Sequence, residues 1–159
     1  MHTSDQPSLR DTQIAPVSLL PAPTHTLRLQ GTDVAAKRQE LLDYFIQTYD
    51  LYDSLFDCLA CDDAWYKKSI PLRHPLIFYY GHTAAFFINK LLAGQFIPHR
   101  IDADIEATVA IGVDEMSWDD LDEKHYRWPT ISRLREYRQQ VRSCVIQFIR
   151  DMPLELPIT

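Results

Sequence analysis

The sequence lacks the features that mark several large classes of protein. It contains three cysteines in 159 residues, too few and too odd a number for a disulfide framework. No apolar stretch approaches the roughly 20 residues that a membrane-spanning helix needs. The N-terminus has no basic segment followed by an apolar one, as a secretory signal would, because Asp5 and Asp11 interrupt it. These absences predict a cytoplasmic protein with no membrane partner.

Basic charge is also scarce. The net charge is −6 at pH 7, from 22 acidic and 16 basic side chains. Binding to phosphates needs a basic stripe and none is visible, so we expect no nucleic-acid partner. The hydrophobic fraction of 46% and the charged fraction of 24% are typical of a globular chain. The length is sufficient for one domain with its own core.

Three long helical patterns follow a proline-rich lead-in. The first begins with Thr32 as its N-cap, and its apolar residues recur at three- and four-residue steps to about residue 60. The second, from Leu76 to Leu92, is apolar on nearly all sides and ends at Gly94, as expected of a central buried helix. The third runs from Thr130 to Met152, with Arg138 the one polar member of its apolar seam.

Between the second and third helices the sequence predicts a long irregular loop. It has room for a short helix over Asp102–Ile111, and Ser117 resembles a further helix start. No segment predicts a convincing strand. The predicted fold is therefore all-α, a helical bundle with three long helices of an expected four, because bundles close most readily with four. We divide the chain into a flexible or draped lead-in, residues 1–31, and an incomplete bundle domain, residues 32–159.

Four arginines give the last helix a basic character: Arg133, Arg135, Arg138 and Arg142. Acidic residues lie near them in sequence, at Glu115, Asp119 and Glu136. We interpret this pattern as a solvated face that carries salt bridges.

Cys58 and Cys61 form a C-x-x-C pair, which alone is a weak signal. A redox motif normally follows a strand, and a structural zinc site would need a second pair. The pair therefore predicts two small, partly buried thiols.

One of the six histidines, His82, lies in the middle of the most apolar helix. Burial of an imidazole is costly unless its nitrogens find partners. His82 is therefore either a hydrogen-bonded core histidine or a metal ligand whose co-ligands come from another helix. His74 is roughly 12 Å away along a helix, too far to share an ion. His99 and His125 could fold back towards it, but their spacing does not require this.

Two long runs in the chain resemble one family. They are Pro71–Leu91, with the sequence PLRHPLIFYYGHTAAFFINKL, and Gly112–Asp120, with the sequence GVDEMSWDD. Both are similar to the N-terminal DinB-like domain of ovothiol synthases, which are 5-histidylcysteine sulfoxide synthases related to the ergothioneine sulfoxide synthases. The start of the first helix, after Gly31, is similar as well. The resemblance covers roughly residues 27 to 159.

The resemblance implies a mononuclear Fe(II) centre held by three histidines, with His82 as one ligand. The other two would come from a His-x-x-x-His-x-Glu motif on a fourth helix, which this sequence does not contain, so we expect a portion of a larger enzyme that is inactive alone. The implied reaction joins cysteine to histidine with dioxygen. Tyr79 and Asn89 are candidates for orienting the His82 ring. The catalytic proton donor and the substrate-binding residues stay unknown.

Two other functions stay open at the level of sequence. The chain could be a stand-alone DinB-like helical module that binds a partner helix. It could also be a metalloenzyme completed by dimerisation, with His99 or His125 as ligands. A missing fourth helix further predicts an exposed apolar groove and self-association through it. The residues expected along this groove are Phe78, Phe86, Val141 and Phe148.

Overall fold

The computed structural model describes residues 18–110 and 127–155, and these residues form a helical bundle. Five helices follow one another: α1 (Val34–Phe56), α2 (Asp63–Tyr66), α3 (Leu76–Ala93), α4 (Ala103–Thr108) and α5 (Ile131–Asp151). Neither described range contains a strand. The prediction of an all-α bundle with three long helices is confirmed. The division of the chain at residue 31 stays a prediction.

Local side-chain chemistry fixes the helix ends. Asp33, rather than the predicted Thr32, caps α1, because its carboxylate accepts a hydrogen bond from the Ala36 amide at 2.9 Å. Thr130, where the sequence predicted the third helix to start, is the N-cap of α5, and its hydroxyl accepts a hydrogen bond from the Arg133 amide. The helix start predicted at Ser117 lies outside the described residues.

The C-x-x-C pair lies in the turn after α1. That helix ends at Phe56, before the end predicted near residue 60, so both cysteines lie beyond it. Cys58 and Cys61 are free thiols and both are exposed. The prediction that they are partly buried was wrong.

Helix α5 packs against both other long helices. Three of its arginines pair in reverse order with two aspartates of α1 and with its C-cap Asp57, so the two helices are antiparallel: Arg142 with Asp50, Arg138 with Asp53, and Arg135 with Asp57. Helices α3 and α5 run parallel, because Arg138 meets Tyr80 in α3 while Phe148 meets Phe96 just beyond it. Parallel neighbours need a long crossover connection, and α4 belongs to it.

One hydrophobic cluster joins all five helices. Helix α3 supplies the largest share, and its Ile77, Ala84 and Ile88 are completely buried. Leu134 and Val141 of α5 face them, and each fully buried aliphatic side chain of this size contributes roughly 1.5–3 kcal/mol. Among the described residues, no helix has both the length and the apolar character needed to cross a membrane.

The apolar groove predicted from the sequence does not form along the four expected residues. Phe78 is 2% exposed and Val141 is fully buried, because both belong to the packed interior. Phe86 is 50% exposed, and Phe148 packs against Phe96 with ring centroids 5.0 Å apart. The prediction of this groove was wrong, and self-association stays a prediction without it.

Arg138 is the largest side chain that the described residues bury completely. Its guanidinium donates hydrogen bonds to the Asp53 carboxylate, to the Tyr80 carbonyl at 2.5 Å and to the Thr83 hydroxyl at 2.8 Å. It also lies within 5.2 Å of three tyrosine rings: Tyr49, Tyr52 and Tyr80. The interpretation of the arginines as a solvated face was wrong for Arg138. Their acidic partners are aspartates in α1 and at its C-cap, and aspartates at the start of α4.

Replacement of Arg138 tests how far the bundle depends on this network. Arg138→Met leaves the Asp53 carboxylate without its buried partner, so we expect a loss of about 3–5 kcal/mol in the free energy of unfolding. Arg135→Met is the matched control, because its pair with Asp57 is exposed and should be worth at most about 1 kcal/mol. Urea unfolding measures both. Equal losses in the two variants would contradict the conclusion that the bundle depends on the buried Arg138 network.

Buried tyrosines make the stability sensitive to alkaline pH. Burial is the main cause that raises the pKa of four of them: Tyr49, Tyr52, Tyr80 and Tyr137. Their contribution to stability is fully present below about pH 10, the unfolded pKa, and is lost as pH rises towards the folded values. The unfolded chain then releases protons that the folded chain retains.

Above that pH, each such tyrosine should lower the free energy of unfolding by up to about 1.4 kcal/mol per pH unit. Urea unfolding between about pH 9 and pH 11 measures the slope. Tyr137→Phe should reduce it by the share of one tyrosine. A stability that is flat across this range would rule out the proposed burial effect.

Candidate metal centre

His82 lies at the middle of α3, where the end of α4 meets this helix, and its side chain is half-buried. Its Nδ1 atom is 2.8 Å from the carbonyl oxygen of Val109, the residue that follows α4. A carbonyl oxygen can only accept, so the proton of the neutral ring is on Nδ1. The Nε2 atom then carries the lone pair, and it makes no hydrogen bond with any described residue. This is the tautomer in which an imidazole binds a metal through Nε2.

A backbone carbonyl, and neither of the two predicted side chains, orients this ring. The Asn89 side chain accepts from Arg100 at 3.0 Å, and the hydrogen bond recorded at Tyr79 joins its backbone carbonyl to the Tyr52 hydroxyl. The prediction of Tyr79 or Asn89 as the orienting partner was wrong. Val109 is 27 residues from His82 in the sequence, and no periodicity or motif connects them.

Aromatic rings hold the His82 ring from the side. Phe78 stacks on His82, with centroids 5.2 Å apart and planes 9° apart, and on His74, with centroids 4.0 Å apart. Trp128 stands edge-on to Phe78 at 6.2 Å. Burial is the largest cause that lowers the pKa of His74, and the charge of Lys68 adds to it. A lowered pKa keeps the His74 ring neutral at pH 7.

Gly81 allows the end of α4 to come this close to α3. A Cβ atom at Gly81 would lie 2.6 Å from Cγ1 of Val109 and 3.2 Å from Cδ1 of Leu134. The first distance is far below van der Waals contact, so no larger residue fits without displacing Val109. Because Gly81 has no side chain, Val109 packs directly against α3. Its carbonyl oxygen therefore lies within hydrogen-bonding distance of His82 Nδ1.

The described residues do not assemble a complete metal site around His82. Across residues 18–110 and 127–155, no group of three or more His, Cys, Asp or Glu side chains could hold a metal ion. His99 is exposed in the segment after α3, and His125 lies outside the described residues. The chemistry of His82 fits one ligand of a metal, and the residues around it fit the role of orienting that ligand.

The architecture defines the class of this domain. Two parallel long helices joined by a crossover, with a third antiparallel to them and one oriented histidine, form a helical bundle suited to contribute a metal ligand. The sequence profile of the DinB superfamily matches residues 44–158, which is most of the chain. The chain belongs to the DinB superfamily. No curated protein matches the sequence, so the finer resemblance to ovothiol synthases stays a prediction.

Gly81→Ala tests the close approach at the site. In an exposed helix this change stabilises by up to about 1 kcal/mol, because alanine is the better helix former. Here we expect a net loss of about 1–3 kcal/mol, because the new methyl group overlaps Val109. Adding Val109→Ala removes the overlapping atom and should recover part of the loss. Thermal or urea unfolding measures the three variants, and a stabilised Gly81→Ala would exclude the contact.

Proposed function

We propose that this chain supplies His82 as one ligand of the mononuclear iron centre of a 5-histidylcysteine sulfoxide synthase, an oxidoreductase of ovothiol biosynthesis. The hydrogen bond from His82 Nδ1 to the Val109 carbonyl carries the proposal, because it leaves Nε2 as the ligand atom. Membership of the DinB superfamily and the resemblance of residues 71–91 to ovothiol synthases support it.

In this function the residues of the chain act as a rigid support. Phe78 and the Val109 carbonyl restrict rotation of the His82 ring, and the packed interior of α3 fixes the position of the helix. The remaining ligands would come from outside the described residues. Iron, when bound, would supply open coordination positions for the cysteine thiolate and dioxygen.

A second candidate function is the binding of a partner helix. Helices α1 and α3 both pack on α5, and between them lies a cavity of about 190 Å³ with Arg138 in its wall. Its other lining residues are Phe45, Thr48, Tyr49, Tyr52, Thr83 and Phe87. A cavity of this kind can accept an apolar side chain from a helix that lies between α1 and α3. This function accounts for the cavity, but not for the orientation of His82.

Anaerobic Fe(II) titration tests the proposed function. It is carried out on the 159-residue chain and on the full natural reading frame that contains it, each with and without His82→Ala. We expect tight binding of one Fe(II) in the full reading frame. His82→Ala should weaken this binding by more than about 100-fold, because loss of a direct ligand should cost more than loss of an outer-shell partner, which costs up to about 100-fold. His74→Ala is the matched control, because it removes the other imidazole stacked on Phe78.

The other outcomes each select a different function. Tight Fe(II) binding that survives His82→Ala would make His82 a core histidine and contradict the proposal. Binding that follows dimer formation and is lost in His99→Ala or His125→Ala would indicate the metalloenzyme completed by dimerisation. Absence of Fe(II) binding, together with saturable binding of an amphipathic helical peptide that Phe87→Ala weakens, would indicate the helix-binding module.

A further inference from the structure

We infer that Glu106 is a positioning residue for His82 and that it acts through the short helix α4. The importance of this role for catalysis rests on the proposed function. The link between Glu106 and His82 itself is seen in contacts among described residues. The link is a chain of contacts from the Glu106 carboxylate, through α4, to the Val109 carbonyl that accepts the hydrogen bond from His82 Nδ1.

Glu106 is a buried carboxylate with several hydrogen-bond donors. Its side chain is 0% exposed. One oxygen accepts from Arg100 at 2.7 Å, and the other accepts from the backbone amides of Ile101 at 3.0 Å and Asp102 at 3.2 Å. A buried carboxylate is very unfavourable without such partners. The three residues before α4 are therefore folded around the Glu106 side chain.

The same residues tie α4 to both neighbouring long helices. Arg133 of α5 donates three hydrogen bonds to the Asp102 carboxylate, at 2.7 Å, 3.0 Å and 3.2 Å. Arg100, which Glu106 holds, donates to Asn89 of α3 at 3.0 Å. Glu106 thus joins the two anchor points at the start of α4, so that the position of this helix depends on it.

The other end of α4 carries the carbonyl that orients His82. Val109 follows Glu106 by three residues, roughly 4.5 Å along a helix. The last carbonyls of a helix have no partner within the helix, so the Val109 carbonyl is available to the His82 ring. A hydrogen bond of 2.8 Å is lost when its atoms move apart by somewhat less than 1 Å. A small displacement of α4 therefore suffices to release the ring.

The tautomer of His82 reports this role without any metal. Long-range ¹H–¹⁵N NMR of the ¹⁵N-histidine-labelled chain distinguishes a protonated Nδ1 from a protonated Nε2. We expect the wild-type ring to be protonated at Nδ1. In Glu106→Ala the ratio of the Nδ1-protonated to the Nε2-protonated form should fall by about fivefold or more, as expected for the loss of one buried hydrogen bond.

Two further variants separate positioning from general stability. Glu106→Gln keeps an oxygen for the two amides but has no acceptor for Arg100, so an intermediate tautomer ratio is expected. Asp50→Asn is the matched control. It disrupts a two-point pair with Arg142 in the α1–α5 interface and has no contact with α4, so its tautomer ratio should equal that of the wild type.

The outcomes distinguish this inference from the proposed function. A folded Glu106→Ala variant with the wild-type tautomer ratio overturns the inference. Where Glu106→Ala does not fold, a wild-type ratio in Glu106→Gln overturns it. A tautomer ratio that changes in the Glu106 variants, together with Fe(II) binding that is unchanged by His82→Ala, supports the positioning role and refutes the proposed function. Loss of Fe(II) binding in His82→Ala with an unchanged ratio in both Glu106 variants refutes the inference alone.

Discussion

A buried guanidinium, that of Arg138, holds the three long helices in one register. The side chain belongs to α5, its carboxylate partner Asp53 belongs to α1, and its carbonyl and hydroxyl partners Tyr80 and Thr83 belong to α3. A guanidinium presents its donors in a fixed plane, so each partner must lie in a fixed direction. A slip of any helix by one turn would leave a buried charge without partners, at a cost of several kcal/mol. Apolar packing alone tolerates small shifts better.

The position of His82 depends on this register in two ways. The fixed alignment of α3 and α5 brings Gly81 against Leu134, which leaves room for Val109 beside them. The same helix α5 carries Arg133, which anchors the start of α4. That pair is half-exposed and contributes little stability by itself. The buried Glu106 carboxylate therefore fixes the position of α4, while Arg133 of α5 connects the start of α4 to the long helices.

Local patterns predicted the long elements well, because local chemistry determines them. The structure places α3 at Leu76–Ala93, against a predicted Leu76–Leu92, since an apolar run between a proline and a glycine leaves little choice. His82 stood out for a similar reason, as an imidazole in an apolar helix. Arg138 was recognised as the polar member of an apolar seam, yet its burial depends on Asp53, 85 residues away. Contacts at such distances in the chain follow from packing, which a single sequence does not reveal.

Arg138 and His82 differ in how their polar atoms are satisfied, and this difference bears on function. The Arg138 guanidinium has a carboxylate, a carbonyl and a hydroxyl as acceptors and lies against tyrosine rings, which is the state expected of a polar group with a structural role. His82 has one nitrogen fixed by a backbone carbonyl, while the other makes no hydrogen bond with a described residue. A histidine with a purely structural role needs only to be satisfied. The hydrogen bond at His82 instead selects the tautomer with its lone pair on Nε2, which is the tautomer that the proposed metal ligand needs.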